Sequence, residues 1–130
     1  MSEEKEKPLT QGEILQRFNL MKRDAQLMMD KIGELQYELG EHELVETNIE
    51  KLSDDRAAYR LVGGVLIKQT VGEILPKVKE NRDNLTKTVQ NLRAALAQKQ
   101  QEAAEWKKRY SIKTQQEIEM EARARTAQQQ

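Results

Sequence analysis

The sequence predicts a mainly α fold: a long antiparallel two-helix coiled coil whose helices are joined by one β-hairpin. Three observations carry that expectation. Apolar residues recur in steps of four and three over two long stretches. A Gly-Gly pair flanked by apolar, β-branched runs stands between them. The composition suits long solvated helices, with aromatics at 4% and charged residues at 34% of 130 residues.

Taken in order, residues 1–9 read as a disordered polar lead. Met1–Lys7 mixes acidic and basic residues without an apolar run, so no secretory signal is expected there. Thr10-Gln11-Gly12-Glu13 has capping-box spacing, in which each end residue's side chain meets the other's backbone N–H. Ile14, Phe18, Met21, Ala25, Met28, Ile32, Leu35 and Leu39 then form an unbroken heptad seam. His42, Glu46 and Ile49 hold the following seam positions, and Val45 and Leu52 are expected to take over part of the stripe as it drifts. The simple reading is one helix of about 43 residues, roughly 65 Å long.

After Ser53-Asp54-Asp55 the pattern changes. Gly63-Gly64 between Leu61-Val62 and Val65-Leu66-Ile67 is a two-residue hairpin signal, because a type I′ turn needs positive φ at both central residues. The hairpin spans about residues 57–70, with Val62 facing Val65, Leu61 facing Leu66 and Arg60 facing Ile67. Thr70-Val71-Gly72-Glu73 repeats the capping-box spacing and opens a second helix, which Pro76 is expected to kink or interrupt. Leu85, Val89, Leu92, Leu96, Lys99, Ala103, Trp106 and Tyr110 form its seam. Lys113 and Glu117 weaken the seam, and residues 123–130 read as a disordered tail. The coiled-coil unit is therefore placed at 10–122.

Folding the helices together suggests a register in which facing residue numbers add to about 131, pairing Leu35 with Leu96 and small Ala25 with large Trp106. The hairpin is apolar on both faces near its turn and has two open edges, so an isolated ribbon is marginal in water. Leu61, Val62, Val65, Leu66 and Ile67 are thus candidate assembly residues, completing an oligomeric β-barrel with hairpins from other chains. A ribbon packed only on its own helices is the rival reading. Poorer seam residues toward the helix ends predict fraying there, with Ile14, Leu15, Phe18, Met21, Trp106, Tyr110 and Ile112 as candidates for contact with other proteins. Most of these are seam positions for which an ordinary core role competes; Leu15 and Ile112 lie off the seam.

Tyr59-Arg60-Leu61-Val62-Gly63-Gly64-Val65-Leu66-Ile67-Lys68-Gln69-Thr70-Val71 between two long heptad helices resembles prefoldin. Glu38-Leu39-Gly40-Glu41-His42-Glu43-Leu44-Val45 and Glu73-Ile74-Leu75-Pro76 extend the likeness, which covers roughly residues 10 to 115. A single hairpin matches the family's beta type. The resemblance implies an ATP-independent chaperone subunit without cofactor, in a hexamer with two alpha-type and three further beta-type chains. It also implies that the helix tips hold unfolded actin and tubulin for the cytosolic group II chaperonin, in the cytoplasm and with a nuclear role left open. The alternative is a structural coiled-coil adaptor or tether that binds no client.

Other chemistry finds little support. With no cysteine and one histidine, disulfides, cysteine-held zinc and the usual nucleophile–base pairs are ruled out, and no enzyme is expected. His42 on the seam reads as a packing residue, and Asp54-Asp55 as a helix-end or turn pair. Gly63-Gly64 lacks the lysine and helix of a phosphate loop. Lysine plus arginine equal aspartate plus glutamate at 22 each. Nucleic acid is therefore not expected as a partner, despite the basic-aromatic run Trp106–Tyr110. No apolar run is long enough to span a membrane.

Overall fold

The computed structural model describes residues 8–129; most of the expected lead, residues 1–7, and Gln130 lie outside the described residues. Helix α1 (Gln11–Glu50) is followed by strands β1 (Ala57–Val62) and β2 (Val65–Thr70), then α2 (Val71–Arg109) and α3 (Gln115–Gln128). The chain divides into two compact units. One comprises Leu27–Leu96, and the other joins the residues up to Gln26 with those from Ala97 onward.

Every seam position of α1 is buried or half-buried, from Ile14 through Ile49, with Phe18, Ala25 and Ile32 the deepest apolar ones. The side chains between them face solvent, which is the one-sided burial that a heptad repeat produces. The seam does not drift to Val45, which stays exposed. Glu46 keeps its place at 6% exposure because Arg82 of α2 reaches it, with Nη1 donating to Oε2 at 2.6 Å and also to Oε1. The same guanidinium donates to Asp83 Oδ1, and that bond is the first cause holding its pKa above the ordinary arginine value, with the nearby Glu46 charge adding and burial opposing. Lys79 and Glu50, 3.5 Å apart and half in solvent, form a looser pair one turn further on.

Thr10 caps α1 as the spacing predicts: its Oγ1 accepts from Glu13 N. Thr70 accepts from Glu73 N at the start of α2. Two further orphan N–H groups of that helix are satisfied from the loop before β1, Val71 N by the carbonyl of Arg56 and Gly72 N by that of Asp54, both at 3.0 Å. Val71 is the most deeply buried apolar residue among those described, at 1% exposure. A Cβ on Gly72 would stand 3.3 Å from Asp54 Cβ, so glycine is what lets loop and helix approach this closely. Pro76 does not end the helix. As the sixth residue of α2 it forgoes one i→i−4 bond, to the Gly72 carbonyl, and the helix continues past it to Arg109.

The sequence reading places the coiled-coil unit at 10–122, with a seam that weakens after Tyr110 and a disordered tail from 123. Helix α2 stops at Arg109, and a separate α3 follows from Gln115 to Gln128. Ser111 adopts φ 50°, while its N–H donates to Lys108 O and that of Ile112 to Lys107 O. These two bonds are a Schellman ending with serine where glycine is usual. Thr114 then caps α3, accepting from Glu117 N at 3.2 Å. The Glu117 carboxylate pairs with Lys107 instead of closing the box. The hydrogen bond from Lys107, foremost, holds the Glu117 pKa below the usual carboxylate range, its charge and the Thr114 contacts adding.

Within the unit holding both chain ends, the proposed register is displaced. Lys99 pairs with Asp24 at 3.6 Å, and the Trp106 indole meets α1 at Ile14, not at Ala25. Polar and aromatic side chains, rather than volume matching, set the alignment there.

Three outcomes follow from these contacts. Ile32→Ala should lower stability by about 2–4 kcal/mol in urea unfolding, while Leu44→Ala, on the exposed side of α1, changes it by less than about 0.5 kcal/mol. Arg82→Leu alone should lower the melting temperature more than the Glu46→Leu/Arg82→Leu double replacement, because the single change strands a buried carboxylate. Glu117 is depressed in the folded state, so its contribution is present above its unfolded pKa of about 4.3 and disappears as pH falls through the folded value. Amide-exchange protection of α3 should therefore fall below about pH 4, and Glu117→Gln should show the low level throughout.

Candidate functional site

The hairpin forms in the register expected, Val62 opposite Val65, Leu61 opposite Leu66 and Arg60 opposite Ile67. Gly63 and Gly64 have φ of 55° and 81°, the left-handed pair that a type I′ turn requires. Side chains alternate between the faces of a strand. One face therefore carries Leu61 and Leu66 with Tyr59 and Lys68, and the other Val62, Val65 and Ile67 with Arg60.

All five candidate assembly residues are open to solvent: Leu61 at 70%, Val65 and Leu66 at 64%, Val62 at 46% and Ile67 at 41% exposure. The ribbon is therefore not packed away on its own helices. Only its foot is half-covered, at Ala58, Gln69 and Thr70. Fully burying one such side chain gains about 1.5–3 kcal/mol. Contiguous exposed apolar residues of this kind mark an interaction surface, and the sheet, of two strands only, leaves both of its edges unpaired.

At the chain ends, the seven contact candidates separate. Trp106 Nε1 donates to the Ile14 carbonyl at 3.1 Å, with the Arg17 guanidinium 5.7 Å from the indole centroid. Tyr110 stacks obliquely on Trp106 at 4.6 Å, and Arg109 lies 5.3 Å over Tyr110. Phe18 is buried beneath Lys22. Ile14, Met21, Trp106, Tyr110 and Ile112 are half-buried, and Leu15 alone of the seven is exposed. Ile112 lies off the seam, but the Schellman turn folds it inward. Leu20, Ile118 and Met120 are exposed apolar residues that the seam-based reading did not single out. Ile118 and Met120 could have been found from the Thr114-x-x-Glu117 capping-box spacing, which announces a new helix.

The residues set aside as chemistry have structural places. His42 Nδ1 lies 2.9 Å from the Glu38 carbonyl, one turn back along α1. Asp54 contributes its backbone carbonyl to the start of α2. Among the described residues no group of three or more His, Asp or Glu side chains could hold a metal ion, and no helix is long and apolar enough to cross a membrane.

Comparison with known proteins agrees with this anatomy. A family model described as prefoldin subunit matches residues 12–117, which take in α1, the hairpin, α2 and the first turn of α3. The chain is similar to the probable prefoldin subunit 2 of Dictyostelium discoideum, 36% identical over 113 residues that cover 87% of this chain and 97% of that protein. It is 33% identical over 114 residues to the probable prefoldin subunit 2 of Drosophila melanogaster, covering 87% and 80% respectively. Human prefoldin subunit 2 is 32% identical over 101 residues, covering 78% of this chain and 66% of the human protein. The crystal structure of the prefoldin beta subunit from Thermococcus strain KS-1 has the same fold, with a TM-score of 0.69 over 74% of this chain and 84% of that one, at 23% identity. On its seam, its single hairpin and these matches, the chain belongs to the prefoldin subunit family.

Proposed function

We propose that this chain is a beta-type subunit of an ATP-independent chaperone, joining other prefoldin subunits through its hairpin and holding non-native protein near its helix ends. The observation that carries this reading is the open ribbon: five large apolar side chains, on both faces of two unpaired strands, that the chain itself leaves uncovered. A tether would need the helices but has no use for that surface. Completing a β-barrel with hairpins from two alpha-type and three further beta-type chains would remove both the exposed faces and the edges.

The family resemblance extends the proposal to unfolded actin and tubulin as clients, to the group II chaperonin as recipient, and to the cytoplasm as the place of work. Holding follows from ordinary physics. A non-native client exposes apolar surface, and covering it gains about 25 cal/mol per Å². One helix end binds weakly, and several on one assembly raise the effective concentration while each contact stays reversible. Leu15, Leu20, Ile118 and Met120 are available without rearrangement. Phe18, Met21, Trp106 and Tyr110 would contribute only after the aromatic cluster opens.

The hairpin and the helix ends can be tested separately. Leu61→Asp/Leu66→Asp should leave a helical chain that native mass spectrometry no longer finds in the complex after coexpression with other prefoldin subunits. Replacing Leu15, Leu20, Ile118 and Met120 by serine should leave assembly intact but reduce the complex's suppression of aggregation when a denatured protein is diluted into buffer. Equal suppression by that variant would remove the helix-end assignment.

A further inference from the structure

Beside β1 the chain forms an open groove of about 380 Å³, walled by Val45 of α1, Tyr59 of β1, and Ile74 and Val78 of α2. Val45 and Tyr59 are 46% and 61% exposed, so the chain does not fill it. Arg60, Lys77 and Glu41 also line it; the two cations outnumber the one carboxylate, and neither cation makes an ion pair among the described residues.

Backbone geometry says what could cover the groove. In a two-residue turn the flanking pair, Val62 and Val65, is hydrogen-bonded, and bonded and non-bonded pairs alternate along an antiparallel ladder. Arg60 is therefore bonded across the ribbon, while Tyr59 and Leu61 turn their N–H and C=O groups outward from β1. Tyr59 and Arg60 project to opposite faces of the strand, yet both line the groove. The groove thus lies along the open edge of β1 and not beneath one face.

We propose that this groove is the socket for an apolar side chain on a strand that a neighbouring prefoldin subunit adds to the β1 edge, with a carboxylate beside it to meet Arg60 and Lys77. The inference rests on the reading that other subunits complete the hairpin, and it adds that α1 and α2 help choose which subunit. Main-chain pairing along an edge is the same for almost any strand, so discrimination falls to side-chain pockets and charges beside it. Charge also separates the partner from a second copy of this chain. Residues 57–70 contain Arg60 and Lys68 and no acidic residue, so a second copy's hairpin would bring like charge to the socket.

The test is a competition. Tagged variants and untagged wild-type chain are coexpressed with the other prefoldin subunits, and the incorporated share of each is read by native mass spectrometry, with circular dichroism reporting helicity. Val45→Asp and Lys77→Glu should each lose about tenfold or more of their share. Lys77→Arg should retain it, and Leu44→Asp, the exposed neighbour outside the groove, should compete evenly. Even competition by Val45→Asp and Lys77→Glu, while Leu61→Asp/Leu66→Asp is excluded, would overturn the socket and leave the hairpin reading standing. Incorporation of the hairpin variant as well would overturn both. A homodimer of the isolated wild-type chain that Val45→Asp dissolves would show a second copy as occupant and overturn the assignment to a different subunit.

Discussion

A two-stranded ribbon has more surface than its own chain can cover. Leu61 and Leu66 face one way, Val62, Val65 and Ile67 the other, and all five stay exposed. The edges add outward N–H and C=O groups that find partners only in water or in another strand. The ribbon belongs to the unit Leu27–Leu96. The foot of the hairpin is held by Val71 beneath the loop at 53–56, and by loop carbonyls that satisfy the start of α2. Such a foot fixes where the strands leave the helices while the strands themselves stay open.

The helices near the ribbon are joined by an unusual seam. Heptad cores favour apolar residues, and here His42 and Glu46 occupy consecutive seam positions. A buried carboxylate is costly unless it is paired and hydrogen-bonded, and Arg82 supplies both the charge and two bonds. The pair contributes alignment: sliding one helix by a turn would leave a charge in an apolar contact. In the other unit, the Trp106 indole bonded to the Ile14 carbonyl and the Lys99–Asp24 pair set the alignment.

The segment around Trp106 is more tightly packed than a weakening heptad suggests. Trp106 and Tyr110 stack, Arg17 and Arg109 cover their rings, and the Ser111 turn hands the chain to a capped α3. Large apolar side chains at the end of a helix therefore need not be available to a partner. Exposure here belongs to Leu15, Leu20, Ile118 and Met120, residues off the seam or on the new helix. Under the proposed chaperone role, such a helix end would keep its strongest anchors in its own packing and offer weaker, separate contacts, which suits reversible holding.

The elements themselves were written locally. Steps of four and three named every buried position of α1, including the polar ones, because a helix shows one stripe to its partner whatever residues lie on it. Gly63-Gly64 set the turn and hence the strand register, and Thr10 and Thr70 placed two helix starts, each through an interaction spanning a few residues. What tertiary structure decided was anything requiring two distant segments at once. The seam kept Glu46 because Arg82, far along the chain, neutralised it. Trp106 met Ile14 instead of Ala25 because an indole N–H sought a carbonyl. The break of the second helix at Ser111 is local, two backbone bonds closing a Schellman turn, but it forms around a serine whose type gives no warning. Heptad spacing fixes which face of a helix is buried; only the long-range charges and hydrogen bonds fix what that face meets.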